Sequence, residues 1–190
     1  MEWEKATALF RKSLKFAGRT ESTIATYMRE VEGYAWMVGT DSPLEVTPAI
    51  AHDFVNRVGK GASPATLCKT ISAVKSFHNW LICDDYANEN PFDTIEGPKK
   101  EKKLVKVASI SDIDKMLGNI KGDHVLQWKK RALLHLLYGS GLRVSEAVSL
   151  TWKNVNIDEG VIMVMGKGRK ERLVPISSGF TEAVGKLPTD

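Results

Sequence analysis

The spacing of apolar residues changes once along this chain, and the change limits which folds it can adopt. Through roughly the first 150 residues, apolar side chains recur every three or four positions, as they do in amphipathic helices. From Val161 the period changes from 3.6 to 2, and the stretch VIMVMGKGRKERLVPI predicts two strands joined by a glycine turn. A further short strand is predicted near Val155 to Ile157. The chain is therefore expected to be mainly α-helical, with a small antiparallel sheet late in the sequence.

Four helices are predicted in the first half of the chain. Apolar residues at helical spacing indicate the first two, over residues 3–14 and 24–36. The third follows Thr47-Pro48 and the fourth follows Ser63-Pro64, and a hydroxyl residue before a proline is typical of a helix start. Together they predict a four-helix unit that ends before Gly97-Pro98.

The second half begins with helices before it changes to strands. Ser109 or Ser111 is predicted to cap a short helix, and a longer one is predicted from about His124 to Tyr138. After the glycine turn at 139–141, apolar spacing predicts a short buried helix that contains Arg143. A charge at such a position needs a reason, because burying an unpaired charge is costly.

Charge is distributed unevenly between the two halves. Residues 1–100 carry 12 basic and 13 acidic side chains, whereas residues 101–190 carry 15 and 10. The excess includes the run KKEKKLVK at 99–106 and a group of basic residues at 167–172, and it suits a polyanion such as nucleic acid. A solvated linker and a charged hairpin would give the same pattern, so charge alone leaves both interpretations open.

Neither a membrane segment nor a metal site is expected from the sequence. No apolar run approaches the ~20 residues of a membrane span, and the first residues, MEWEKATALFRKSLKF, are charged throughout, unlike a secretory signal. Cys68 and Cys83 form no metal-binding motif. The expectation is a cytoplasmic protein without metal or cofactor.

Two blocks late in the chain resemble a known family. LLHLLYGSGLRVSEAVSLTWKNV and then GKGRKERLVPIS are similar to the first block and the β-hairpin of the tyrosine site-specific recombinases, the phage integrase and Xer-type family. TESTIATYMREVEGYAWM and SPATLCKTISAVKSFHNWLICDDYANENPF resemble the family's SAM-like core-binding domain. The resemblance implies a DNA-binding core-binding domain at 1–97, a basic linker at 98–106 and an incomplete α+β catalytic domain at 107–190.

The resemblance also implies a chemistry. In this family a tyrosine attacks a DNA phosphodiester without a metal, which gives a 3′-phosphotyrosyl link and a free 5′-hydroxyl. Arg143 would hold the phosphate with its forked guanidinium. Glu146, three residues later on the same helical face, would orient Arg143. Lys167 in the hairpin turn would protonate the leaving 5′-oxygen. These three are the expected catalytic residues.

Contacts with DNA are implied on the second and fourth helices, in the linker and in the hairpin. Hydroxyls and amides at helix N-termini bind phosphates, and Lys and Arg add charge and salt dependence. The expected DNA-binding residues are Thr20, Ser22, Thr23, Tyr27, Arg29, Ser63, Thr66, Lys69, Lys75, Lys100, Lys102, Lys103, Arg169 and Arg172. The expected partner is double-stranded DNA, with the parent protein a tetramer on synapsed DNA and this chain a monomer or weak dimer.

The later elements of the family pattern are not found in this sequence. None of the four histidines has an arginine three residues on, and the four tyrosines all precede or adjoin the first block. Tyr138 is expected to pack in the core beside its leucine neighbours. The chain is therefore interpreted as part of a recombinase that binds DNA but lacks the nucleophile. Two alternatives remain open: a non-catalytic DNA-binding regulator or decoy derived from a recombinase, and a helical interaction module with no nucleic-acid role.

Overall fold

The computed structural model describes residues 1–99, 107–166 and 170–187 of the chain. The chain divides into two compact units, Met1–Lys103 and Leu104–Asp190. The described residues form helices and one three-stranded antiparallel sheet, which confirms the predicted fold class. None of the helices in these ranges has the length and apolar character needed to cross a bilayer.

The first unit contains the four predicted helices. They are α1 (Trp3–Phe16), α2 (Glu21–Val38), α3 (Pro48–Gly59) and α4 (Pro64–Cys83), with a short 3-10 turn at Pro43–Glu45. Thr20, Thr47 and Ser63 cap α2, α3 and α4 by accepting a backbone N–H three residues ahead. The hydroxyl and proline signals therefore marked the helix starts correctly.

Aromatic rings form the centre of the first unit. Phe77 of α4 is fully buried and lies edge-on to Phe10 of α1, with ring centroids 5.3 Å apart. Trp3 stacks on Phe77 with ring centroids 5.8 Å apart, and the Trp80 ring lies 5.9 Å from Phe77. Burial of each large apolar side chain contributes about 1.5–3 kcal/mol, so this cluster holds α1 against α4.

A buried polar pair lies beside the aromatic cluster. The hydroxyl of Tyr34 and Nε2 of His78 are 2.9 Å apart, and both side chains are almost completely buried. Because burial disfavours the charged form, it lowers the pKa of His78 to about 4 and raises the pKa of Tyr34 above its usual value. The pair is therefore neutral near pH 7, and a single hydrogen bond satisfies both groups.

Trp36 departs from the predicted apolar face of α2. Its side chain is 86% exposed, whereas Tyr34, two residues earlier, is buried. Two residues correspond to about 200° around an α-helix, so one of the pair must face away from the core. The prediction that Trp36 belongs to the buried face of α2 was therefore wrong.

In its described residues, the second unit combines four α-helices with the sheet. In chain order they are α5 (Ile110–Asn119), α6 (Val125–Leu134), α7 (Val144–Val148), β1 (Val155–Asn156), β2 (Val161–Met165), β3 (Glu171–Pro175) and α8 (Ser178–Val184). The strands pair in the order β1-β2-β3, with Ile162 opposite Val174 and Val164 opposite Arg172. Ile162, Val164 and Val174 are buried, so one face of the hairpin packs in the core.

The longer predicted helix changes character before it ends. Regular α-helix stops at Leu134, and His135–Gly139 forms a π-helical turn closed by a hydrogen bond from Ser140 N to His135 O. The wider turn shifts the residues that follow around the helix axis. Tyr138 is consequently 47% exposed, and the prediction that it packs in the core was wrong.

Helix α8 packs closely against this π-helical turn because Gly179 has no side chain. A Cβ atom at Gly179 would overlap the ring of His135. We expect Gly179→Ala to destabilise the second unit by about 1–3 kcal/mol, the usual cost of overpacking. Gly118→Ala in α5 is the control, because nothing lies within 4 Å of its added methyl and alanine favours a helix. Hydrogen exchange of α6 peptides measures both, and equal protection in the two variants would contradict the packing argument.

Candidate functional site

Arg143 lies at the start of a helix rather than inside one. Gly141 has a left-handed backbone (φ +63°), which turns the chain out of the π-helical segment, and Arg143 is the N-cap residue of α7. The expectation of a buried helix containing Arg143 was wrong, since its guanidinium side chain is 67% exposed. Val144 and Val148 are exposed as well, because a helix of five residues buries only its inner face.

The buried group is instead the carboxylate of Glu146. Its Oε2 accepts a hydrogen bond from the backbone N–H of Arg143 at 2.8 Å, and its Oε1 accepts one from Nη1 of Arg143 at 2.9 Å. The predicted contact between these two residues is therefore present in the structure. Glu146 caps the first turn of α7 and at the same time holds one edge of the arginine fork.

Arg172 binds the same carboxylate from the sheet. Its Nη1 lies 2.9 Å from Oε1 of Glu146 and its Nη2 lies 2.8 Å from Oε2. Hydrogen bonds from Arg172, and then from the backbone of Arg143, lower the pKa of Glu146 to about 2. Arg172 is among the residues expected to contact DNA, and in the structure both of its terminal nitrogens bind Glu146.

A positively charged pocket of about 550 Å³ opens beside this cluster. The residues that line it are Gly141, Arg143, Gly166, Lys170, Glu171 and Arg172. Three of these are cationic and one is acidic, and two glycines leave room for a ligand to approach the backbone. An anion such as a phosphodiester matches both the charge and the open shape. Lys167 and Arg169, which were predicted nearby, lie outside the described residues.

Comparison with known proteins identifies the family. The model of the phage integrase family matches residues 106–188, which include Arg143, Glu146 and the hairpin. The chain fits the phage integrase family of tyrosine recombinases over this region. It is 31% identical over 187 residues to the tyrosine recombinase XerC of Chromobacterium violaceum, covering 98% of this chain and 62% of that protein. It is 35% identical over 158 residues to XerC of Salmonella typhi, covering 81% and 52%.

Solved recombinases of the family share this fold. A lambda integrase tetramer bound to a Holliday junction matches with a TM-score of 0.78 and 14% identity, over 98% of this chain and 56% of that one. The Tn1549 transposon integrase in complex with transposon right end DNA matches with a TM-score of 0.73 and 23% identity, over 98% and 64%. The chain therefore spans roughly half to two-thirds of the length of these relatives.

Most of the predicted DNA contacts of the first unit fall into two groups. The hydroxyl groups lie at helix starts: Thr20 lies 3.1 Å from Ser22 and 2.9 Å from Thr23 at α2, and Ser63 lies 2.9 Å from Thr66 at α4. The hydrogen bonds among these five hydroxyls lie at the protein surface, so the two helix N-termini present polar groups to solvent. Tyr27 is half-buried and packs near Phe10 of the core.

The second group consists of Arg29 and Lys69, which both bind Glu30. Glu30 was not among the residues predicted from the sequence. Nη2 of Arg29 and Nζ of Lys69 lie 3.0 and 2.9 Å from the same oxygen, Oε1, and Thr70 donates to Oε2 at 2.7 Å. Burial acts to raise the pKa of Glu30, but the hydrogen bonds from Thr70, Lys69 and Arg29 together lower it. Arg29 and Lys69, from α2 and α4, are thereby held side by side.

Other predicted DNA contacts have different outcomes. Nζ of Lys75 donates to the backbone carbonyls of Asp93 at 3.0 Å and Ile95 at 3.4 Å. Its ammonium therefore fastens the end of the first unit to α4, which is a structural role that the spacing argument did not predict. Lys100, Lys102 and Lys103 lie outside the described residues.

Proposed function

We propose that this chain binds duplex DNA and supplies the first part of the phosphodiester-binding site of a site-specific recombinase. The observation that carries the proposal is the Arg143 fork, held by Glu146 at the edge of the positively charged pocket. Family membership supports it, because tyrosine recombinases break and rejoin DNA. The core-binding domain would span 1–97, the linker 98–106 and the catalytic part 107–190.

In the proposed site, Arg143 neutralises the non-bridging oxygens of the scissile phosphate. Its guanidinium stays charged at any physiological pH, and its side chain is 67% exposed while Nη1 binds Glu146. A positioned cation stabilises charge that builds up on phosphate oxygens in the transition state. Lys167 is proposed to protonate the leaving 5′-oxygen from the hairpin turn, as the resemblance implies.

We further propose that the chain forms no covalent link to DNA. Of its four tyrosines, Tyr27, Tyr34 and Tyr86 belong to the first unit and Tyr138 precedes Arg143. Tyr34 is buried and bonded to His78, with a raised pKa that opposes its use as a nucleophile. Among the described residues that line the pocket there is no tyrosine.

The first unit is proposed to grip the duplex backbone. The hydroxyls at the starts of α2 and α4 and the Arg29–Lys69 pair suit phosphate contacts, which position a protein without reading sequence. The solved relatives support DNA as partner, since lambda integrase is bound to a Holliday junction as a tetramer. We propose the same partner for this chain and a tetramer for its parent protein. Lys75 is left out of this interface.

We expect Arg143→Ala to weaken duplex binding and to lower the dependence of the affinity on salt. Each phosphate contact contributes about 0.9 to the slope of log affinity against log salt, so the slope should fall by about that amount. Fluorescence anisotropy with a mixed-sequence duplex over a salt series measures it. Arg11→Ala is the control, because Arg11 pairs with Glu32 on the surface of the first unit. An unchanged slope in Arg143→Ala would overturn the assignment of Arg143.

A further inference from the structure

We propose that Arg172 is a positioning residue, which holds Glu146 and thereby keeps Arg143 fixed and electrostatically available to a DNA phosphate. The inference rests on the proposed function, since it assumes that Arg143 binds the phosphate. It assigns Arg172 a role other than DNA contact, and it makes the strand β3 part of the phosphate site.

The hydrogen bonds on Glu146 connect Arg172 to Arg143. Each carboxylate oxygen accepts one bond from Arg143 and one from Arg172: Oε1 from both Nη1 atoms, and Oε2 from the Arg143 backbone and Nη2 of Arg172. All four distances are between 2.8 and 2.9 Å. Bidentate arginine–carboxylate pairs fix orientation as well as distance. Arg172 thus determines where the carboxylate points, and the carboxylate determines where Arg143 points.

The net charge of the three side chains also favours phosphate binding. Arg143 and Glu146 alone form a neutral pair, and a neutral pair attracts a phosphate weakly. Arg172 supplies a second positive charge to the same carboxylate, so the three side chains together carry a net charge of +1 (two arginines and one glutamate). The lowered pKa of Glu146, about 2, agrees with this arrangement, because the carboxylate remains ionised at every physiological pH.

The sheet holds Arg172 more firmly than α7 holds Arg143. Arg172 pairs with the buried Val164 of β2 and shares a strand face with the buried Val174. Its backbone is therefore held by the hairpin and by the core. Arg143, by contrast, precedes a helix of only five residues and is mostly exposed. A rigid support for Arg143 must come from outside α7, and Arg172 provides the direct link to it.

A double-mutant cycle tests the proposal. Duplex affinity is measured by anisotropy for wild type, Arg143→Ala, Arg172→Gln and the double variant, with far-UV circular dichroism to confirm folding. If Arg172 acts through Arg143, Arg172→Gln should weaken binding about fivefold in the wild type and only about twofold in the Arg143→Ala background, where the loss of its charge is the remaining effect. Equal losses in both backgrounds would overturn the proposal, because an independent phosphate contact gives additive losses.

Two further variants make the outcome specific. Lys170→Gln removes a cation that lines the same pocket, so its loss should be additive with Arg143→Ala. Arg172→Lys keeps the charge but not the fork, so it should recover part of the affinity that Arg172→Gln loses. It also serves as the folded variant should circular dichroism show that Arg172→Gln is unfolded. No recovery in Arg172→Lys would overturn the argument from net charge. If Arg143→Ala itself leaves duplex binding unchanged, the proposed function fails, which is distinguishable from a failure of this inference alone.

Discussion

Phe77→Ala is expected to lower the free energy of unfolding of the first unit by about 3–5 kcal/mol, the usual cost of truncating a buried phenylalanine. The ring is fully buried and contacts Phe10, Trp3 and Trp80 from two helices. Its removal leaves a cavity that surrounding rings cannot fill without losing their own edge-on and stacked contacts. Because the chain has two units, the loss should be measured by native-state hydrogen exchange of peptides from α1 and α4.

Phe16→Ala is the matched control for this prediction. It removes the same atoms from the same unit, but the Phe16 side chain is 97% exposed at the end of α1. A surface change of this kind is expected to alter stability by no more than about 0.5 kcal/mol. Similar losses of protection in the two variants would show that the aromatic cluster does not hold α1 against α4.

The first unit is also expected to lose stability in mild acid because of His78. The unfolded chain binds a proton at His78 near pH 6.5, whereas the folded chain binds one only near pH 4. The unfolded state therefore takes up more protons between these values, and stability falls as the pH is lowered through this window. At about 1.4 kcal/mol per unit of pKa difference, the loss reaches about 3 kcal/mol. Hydrogen exchange of α4 peptides at pH 7 and pH 4.5, corrected for intrinsic rates, measures it.

His78→Gln separates this effect from other acid-sensitive groups. Glutamine can still bond the Tyr34 hydroxyl but does not titrate, so most of the difference in stability between the two pH values should disappear. His52→Gln, an exposed histidine of α3, should leave the difference unchanged. The account of the buried pair would be contradicted if His78→Gln retained the full acid sensitivity.

Local signals predicted most of the fold. Thr47-Pro48 and Ser63-Pro64 mark helix starts because a hydroxyl cap and a fixed proline backbone act within four residues. The apolar run of β2 and the glycine turn after it are likewise signals that act over a few residues. The π-helical turn at His135–Gly139 was not predicted, because it leaves no mark in the apolar spacing, and its close packing against Gly179 of α8 is a tertiary contact.

In the candidate site, the sequence predicted only the contact between residues that are close together along the chain. Arg143 and Glu146 are three residues apart, so helical geometry suggests their contact. Arg172 is 26 residues from Glu146, and their pairing depends on where the sheet lies against α7. One signal was present: Arg172 stands two positions before the buried Val174, and residues two apart share a strand face. An inward arginine needs a partner, and Glu146 is that partner.

Glu30 shows the same limit in the first unit. It binds Lys69 and Thr70, which lie about forty positions later in the chain, so no spacing rule along the sequence links them. Both Glu30 and Glu146 bring together two cations from different elements around one shielded carboxylate. Such pairs require the tertiary fold, whereas the individual cations are visible in the sequence as charge.

We propose that this chain binds duplex DNA through a recombinase phosphate site without cutting it. The most direct measurement incubates the chain with a nicked duplex that would trap a covalent intermediate, and separates the products by native and by denaturing electrophoresis. We expect a retarded complex at low salt that disappears completely under denaturing conditions. A protein–DNA adduct that survives denaturation would contradict it by revealing a nucleophile among the four tyrosines, and the absence of any complex at low salt would contradict DNA binding itself.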